Sequence, residues 1–170
     1  ERIDSPRNEL NAFGSFDDLW TAYVQQMDHF LERSVGCIRA AERAWPRINP
    51  SPMVAGTIED CIALGKDVGQ GGARYNSVGF VGAALANAAD SLLALRKAVF
   101  EERRFTMAEI LEALRGNYQG HERMRQYLLN RVPKWGNNDP EADELAKRVA
   151  DYYCDKVHSF TNARGGPCMA

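Results

Sequence analysis

The residues of this chain that could do chemistry are three histidines, four cysteines, a cluster of glycines and a few carboxylates in apolar surroundings. His29, His121 and His158 stand far apart, and no pattern joins them to a nucleophile. The spacings Ser-x-x-Lys, G-x-S-x-G and H-E-x-x-H, which set a nucleophile or a metal on a strained turn or a helix face, do not occur. Cys37, Cys61, Cys154 and Cys168 form no C-x-x-C pair and have no His at ligand spacing, so no metal site is expected. Reduced packing thiols are the simpler reading, as in a cytosolic protein. Gly65, Gly69, Gly71, Gly72, Gly79 and Gly82 invite a phosphate-loop reading. A Walker loop fails because Asp60 stands where its first glycine belongs and Asp67 follows Lys66. A dinucleotide fingerprint begun at Gly69 meets Arg74 where it needs glycine. Asp90 lies in an Ala/Leu-rich stretch, where a carboxylate must find donors or shift its pKa. A carboxylate accepting backbone or Arg hydrogen bonds is the simpler account. Tyr75 beside Asn76 could contact a substrate, or be a packed tyrosine and a turn asparagine.

The elements that must hold these residues are mainly helical. Residues 1–14 read as an irregular lead-in. Ser15 is an N-cap with Asp17 and Asp18 in the first turn, and Leu19, Tyr23, Met27, Phe30, Leu31, Val35 and Ile38 recur at three or four. A long amphipathic helix to about residue 44 follows, stopped by Trp45-Pro46. Residues 53–64 are a short apolar segment, helix or strand. The glycine-rich passage around Val78-Gly79-Phe80-Val81 reads as a short strand with backbone held close to a neighbour. A helix is expected over 83–102. Thr106 and Glu109 form a capping box, with Phe105 and Ile110 as its hydrophobic staple, for a helix to Arg115 stopped by Gly116. Another helix spans about 121–131. Asp139-Pro140 then starts one that runs to about Phe160, with Leu145, Val149, Tyr152, Tyr153 and Val157 as its stripe. Residues 162–167 read as loop.

The chain has 170 residues, enough for one ordinary domain, with 45% hydrophobic and 26% charged residues, which is globular composition. A formal charge of −2 gives no general attraction to nucleic acid or an anionic membrane. No apolar run approaches the roughly 18 residues of a spanning helix. Glu1 opens the chain without Met and without a basic-then-apolar leader, and a fragment or processed chain is expected.

Taken in order, five segments resemble one family. Asp60-Cys61-Ile62 with Gly65-Lys66-Asp67, Gly71-Gly72-Ala73-Arg74-Tyr75-Asn76, the stretch from Asp90-Ser91-Leu92 to Val99-Phe100-Glu101-Glu102, Pro133-Lys134-Trp135-Gly136-Asn137-Asn138-Asp139, and Asn162-Ala163-Arg164-Gly165-Gly166 carry it. They are similar to passages of the glycyl-radical enzymes of the pyruvate formate-lyase (formate acetyltransferase) superfamily. The likeness is to its dehydratase and lyase branch, which includes glycerol dehydratase and choline trimethylamine-lyase. The resemblance implies an α/β parent fold, a ten-stranded barrel wrapped in helices, of which residues 1–170 are an internal, mainly α-helical segment with one short glycine-rich strand. It implies thiyl-radical hydrogen abstraction from a small organic substrate in a cytoplasmic enzyme of anaerobic metabolism. The glycyl radical would be installed by a separate radical S-adenosylmethionine activating enzyme, and the parent would be a homodimer without nucleic-acid or membrane partners. Gly36-Cys37-Ile38-Arg39-Ala40 begins like the family's cysteine loop but lacks its Glu and Pro and lies in a helical pattern, and no R-V-S-G-Y radical motif occurs. The catalytic loops are therefore expected outside residues 1–170, with no catalytic residue and no metal in this segment, which is expected to be inactive alone. Tyr75 and Asn76 are the substrate-cavity candidates. The alternative is a non-catalytic helical binding or scaffold module derived from the same fold.

Overall fold

The computed structural model describes residues 13–170. The lead-in expected over 1–14 lies, apart from Phe13 and Gly14, outside the described residues. Seven α-helices are described: α1 (Phe16–Ile48), α2 (Pro52–Ala55), α3 (Cys61–Leu64), α4 (Leu85–Leu95), α5 (Met107–Arg115), α6 (Glu122–Asn130) and α7 (Pro140–His158). A 3-10 turn (Val68–Gln70) follows α3, and a π-helical turn (Arg96–Glu101) continues α4. Two short strands, β1 (Val78–Gly79) and β2 (Cys168–Met169), pair in parallel, with Val78 opposite Cys168 and Gly79 opposite Met169. Among the described residues, no helix is long and apolar enough to cross a membrane.

The chain divides into two compact units, to both of which α1 and α7 contribute. The first takes the chain up to Val24 and Ala84–Ala150. Its helix starts follow the expected chemistry. Ser15 Oγ accepts from the Asp18 amide at 3.2 Å, while the Asp18 carboxylate accepts from the Ser15 amide at 3.0 Å. Thr106 and Glu109 exchange the same two bonds at 3.2 and 2.7 Å. The Asp139 carboxylate accepts from the amides of Glu141 and Ala142, with Pro140 in the first turn, where its missing N–H costs nothing. Ala98, Ile110, Ala113 and Met124 form a buried cluster, and the staple residue Phe105 packs against it. The single helix expected over 83–102 is interrupted: after Leu95 the bonding changes to i→i+5, as in the Glu102 amide donating to Lys97 O at 2.9 Å. The wider turn brings Arg96 Nε within 2.8 Å of Glu101, and Lys97 Nζ also reaches Glu101 at 2.9 Å. Both cations then meet Glu141 at the start of α7.

The second unit takes Gln25–Ala83 and Asp151–Ala170. Its core is Leu31 and Val35 from α1, Phe80, Val157 from α7 and Cys168. The expected face of α1 is only partly used: Leu31 and Val35 are buried, whereas Phe30 is exposed. Helix α1 also runs past the expected stop, through Pro46 to Ile48. Proline there forgoes the hydrogen bond of its own nitrogen, but the helix ends two residues later, so little of it depends on the turn that proline weakens. The apolar segment 53–64 forms the short helices α2 and α3 around a turn. The strand expected near 78–81 is present as β1, and its partner β2 arises just after a stretch expected to be loop.

Candidate functional site

In the second unit, three of the five sequence segments close on one another. The first anchor is Asp67. Its carboxylate accepts from the Gly69 amide at 2.8 Å and from the Ser51 amide at 2.7 Å, and its own amide donates to Gln70 Oε1 at 3.1 Å. The turn ends at Gly71, whose φ of +80° an L side chain rarely adopts. The Gly72 amide returns to Asp67 O at 3.1 Å. A Cβ on Gly72 would lie 2.2 Å from Lys66 O, so glycine is required for this approach.

The second anchor is Asn76. Its Nδ2 donates to Arg164 O at 3.0 Å, and its Oδ1 accepts from Arg164 Nε at 2.7 Å. Asn162 Nδ2 donates to Asn76 O and to Asn76 Oδ1, each at 3.2 Å. Asn162 is a buried polar residue whose Oδ1 accepts from the amides of Arg164 and Gly166, both at 2.9 Å. Its amide group is therefore satisfied on both sides, as burial demands. The Arg164 guanidinium also donates to Ser77 O at 3.2 Å and lies 3.1 Å from Glu42 Oε1. That last contact is an ion pair off the hydrogen-bond axis, while Glu42 Oε2 accepts from the Ala163 amide at 2.7 Å. A Cβ on Gly166 would fall 1.4 Å from Asn76 O. From this clasp the chain enters the β1–β2 ladder, with the Val78 amide donating to Pro167 O at 3.2 Å and the Phe80 amide to Met169 O at 2.7 Å.

Of the two sequence candidates, Asn76 is half-buried with its amide committed to Arg164 and Asn162. Tyr75 is 87% exposed, on the stretch between the two anchors. Cys37, in the stretch that begins like a cysteine loop, lies on α1 and is exposed. Cys61 and Cys168 are buried, and burial pushes the Cys168 thiol above its ordinary pKa. They pack, as expected for structural thiols, whereas Cys37 does not. Tyr153 donates to Phe80 O at 3.2 Å and lays its ring against Gly82, and burial raises its phenol pKa. Sequence reasoning missed Glu42 and the role of Asn162. Glu42 had no local signal, its partner Ala163 lying 121 residues away, and although Asn162 closes a local turn on Arg164 and Gly166, its bonds to Asn76 span 86 residues.

The other two segments meet in the first unit. Asp90 Oδ1 accepts from the Trp135 amide at 2.9 Å, the structural role expected for it. Lys134 caps the end of α6 by donating to Leu128 O and Val132 O, both at 2.9 Å. Burial lowers the Lys134 pKa, and the Asp90 charge partly offsets this. The arrangement in both units fixes backbone; its charged groups are paired with one another or with main chain.

Residues 2–170 match the pyruvate formate lyase-like family. The chain is 32% identical over 169 residues to (2S)-3-sulfopropanediol dehydratase of Klebsiella oxytoca, covering 98% of this chain and 20% of that protein. It is 32% identical over 161 residues to trans-4-hydroxy-L-proline dehydratase of Clostridioides difficile, covering 95% and 20%. Among solved structures, it is similar to the glycerol-bound B12-independent glycerol dehydratase from Clostridium butyricum, with a TM-score of 0.88 at 35% identity over 94% of this chain and 20% of that one. The chain thus spans about a fifth of the length of these relatives. With the match running through all five segments, the chain belongs to the pyruvate formate lyase-like family.

Proposed function

We propose that residues 1–170 are an internal supporting wall of a glycyl-radical dehydratase or lyase that acts on a small organic substrate by thiyl-radical hydrogen abstraction. The observation that carries this reading is the full-span likeness to dehydratases, a TM-score of 0.88 over 94% of the chain. The parent would be a ten-stranded α/β barrel, to which the β1–β2 pair contributes, in a cytoplasmic homodimer. The cysteine loop and the radical glycine would come from outside residues 1–170. The glycyl radical, installed by a radical S-adenosylmethionine activating enzyme, would supply the hydrogen-abstracting chemistry. This chain's own residues hold and shape: the Asp67 turn and the Asn76 clasp fix the loop that carries Tyr75, and Tyr75 is its contribution to the substrate cavity, with Asn76, the other sequence candidate, holding the loop beneath it. The exposure of Met53, Ile62, Tyr75 and Val81 fits a surface that further parts of a larger enzyme cover.

The test is anaerobic treatment of the full-length protein with its activating enzyme, followed by electron paramagnetic resonance. A glycyl-radical doublet is expected, with turnover of at least one of glycerol, trans-4-hydroxy-L-proline and (2S)-3-sulfopropanediol. No doublet, with an activating enzyme proven active on another partner, sinks the radical reading. A doublet without turnover of any of the three sinks the assignment to that substrate class.

A further inference from the structure

We infer that Arg164 is a positioning residue for Tyr75, acting through Asn76. The inference rests on the reading that Tyr75 faces the substrate cavity of a larger enzyme. Tyr75 is a large aromatic side chain standing almost fully exposed. The backbone beneath it is held on both sides. Before it, Gly72 is seated against Lys66 O with no room for a side chain. After it, Asn76 is held by its side-chain amide and its carbonyl, and Ser77 by its carbonyl. One guanidinium joins these contacts: Arg164 serves Asn76 Oδ1 and Ser77 O while Glu42 neutralises it from α1. A planar fork can serve several acceptors at once, which a lysine ammonium on a flexible stem does not reproduce. Three residues between two rigid anchors leave the Tyr75 Cα little freedom, so its phenol is presented at low entropic cost. The clasp links segments 88 residues apart, so presentation of Tyr75 depends on the correct seating of the chain after α7.

The experiment uses the full-length enzyme carrying Asn76→Ala, Arg164→Lys, Tyr75→Ala and the double variant Tyr75→Ala with Asn76→Ala. Three quantities are read: glycyl-radical content, kcat and KM on whichever of glycerol, trans-4-hydroxy-L-proline and (2S)-3-sulfopropanediol the unaltered enzyme turns over, and amide hydrogen exchange across residues 71–77. Asn76→Ala and Arg164→Lys are expected to leave radical content unchanged, to raise exchange in that stretch, and to raise KM roughly ten-fold, the scale of one lost positioning interaction. In the Tyr75→Ala background, adding Asn76→Ala is expected to change KM by less than about two-fold, because the residue it positions is gone. A full ten-fold effect in both backgrounds would make Asn76 merely structural and overturn the inference. Unchanged exchange in Asn76→Ala would overturn the clasp. If the unaltered enzyme forms no radical, the parent reading fails, and if it forms one but turns over none of the three, the substrate class fails; either result removes the positioning role with it, while the exchange data, which need no radical, still report on the clasp separately. Should Arg164→Lys prove insoluble, Asn76→Ser takes its place with the same expected outcomes.

Discussion

Gly166 is the residue on which the clasp is most sensitive to a single atom. A Cβ there would sit 1.4 Å from Asn76 O, far inside any contact distance, and 3.0 Å from Asn162 Nδ2. No rotamer relieves a clash with main chain, so either the β1–β2 approach or the Asn162 hydrogen bonds must open. Gly166→Ala is expected to destabilise by at least about 3 kcal/mol, the upper end of ordinary overpacking. Gly36 is the contrast. It lies within α1, and a Cβ there would meet nothing within 4 Å, so Gly36→Ala relieves a helix-interior glycine and is expected to stabilise by about 0.5–1 kcal/mol. Thermal or denaturant melts of the two variants check both signs; equal effects would refute the steric account. The sequence candidates divide in the same way at this scale. Asn76 was legible as a polar residue in a glycine-rich turn, but the fact that its amide is spent on Arg164 and Asn162 was not.

At the scale of elements, the π-helical turn after α4 is the departure with a measurable consequence. Arg96 and Lys97 both meet Glu101 and Glu141, so four charges share one half-exposed cluster. The Lys97 hydrogen bond is the main cause holding the Glu101 carboxyl below its usual pKa, with Arg96 adding to it and burial opposing. A carboxyl whose folded pKa lies below its unfolded value binds protons more readily when unfolded. Its contribution is therefore fully present above the unfolded pKa, about 4.3, and is lost as pH falls through the folded value. Stability measured from pH 6 down to pH 3 is expected to fall less for Glu101→Gln than for the unaltered protein, because the variant has no such proton to take up. Parallel pH profiles for the two would remove Glu101 from the account. The N-cap at Ser15, the capping box at Thr106 and the Asp139-Pro140 start were legible beforehand because each is complete within four residues, while the return bond from the Ser15 amide to Asp18 was added by the structure. The π turn was not, since nothing local in Arg96-Lys97-Ala98 demands it; the paired cations and Glu141, 45 residues on, accompany it.

At the scale of the molecule, each unit has its own buried cluster, yet large apolar side chains remain outside: Met53 is 86% and Val81 92% exposed, and Ile48 and Ile62 are little better covered. Produced on its own, the 170-residue segment is expected to bind an apolar dye such as ANS and to form polydisperse aggregates, whereas the full-length protein is expected to leave the dye dark and to run as a single species. A monodisperse segment that leaves the dye dark would show that these faces need no cover.

The sequence by itself determined the family, through five short segments in order, and most helix boundaries, through caps, prolines and three-to-four periodicity. Those signals are local, so a linear reading reaches them. Only the tertiary structure decided that residues 60–67, 71–76 and 162–166 are parts of one clasp, that Glu42 neutralises Arg164, and that a second strand pairs with Val78-Gly79. Those facts depend on segments about 90 to 120 residues apart meeting at hydrogen-bond distance, which the glycines at 72 and 166 permit but do not by themselves specify.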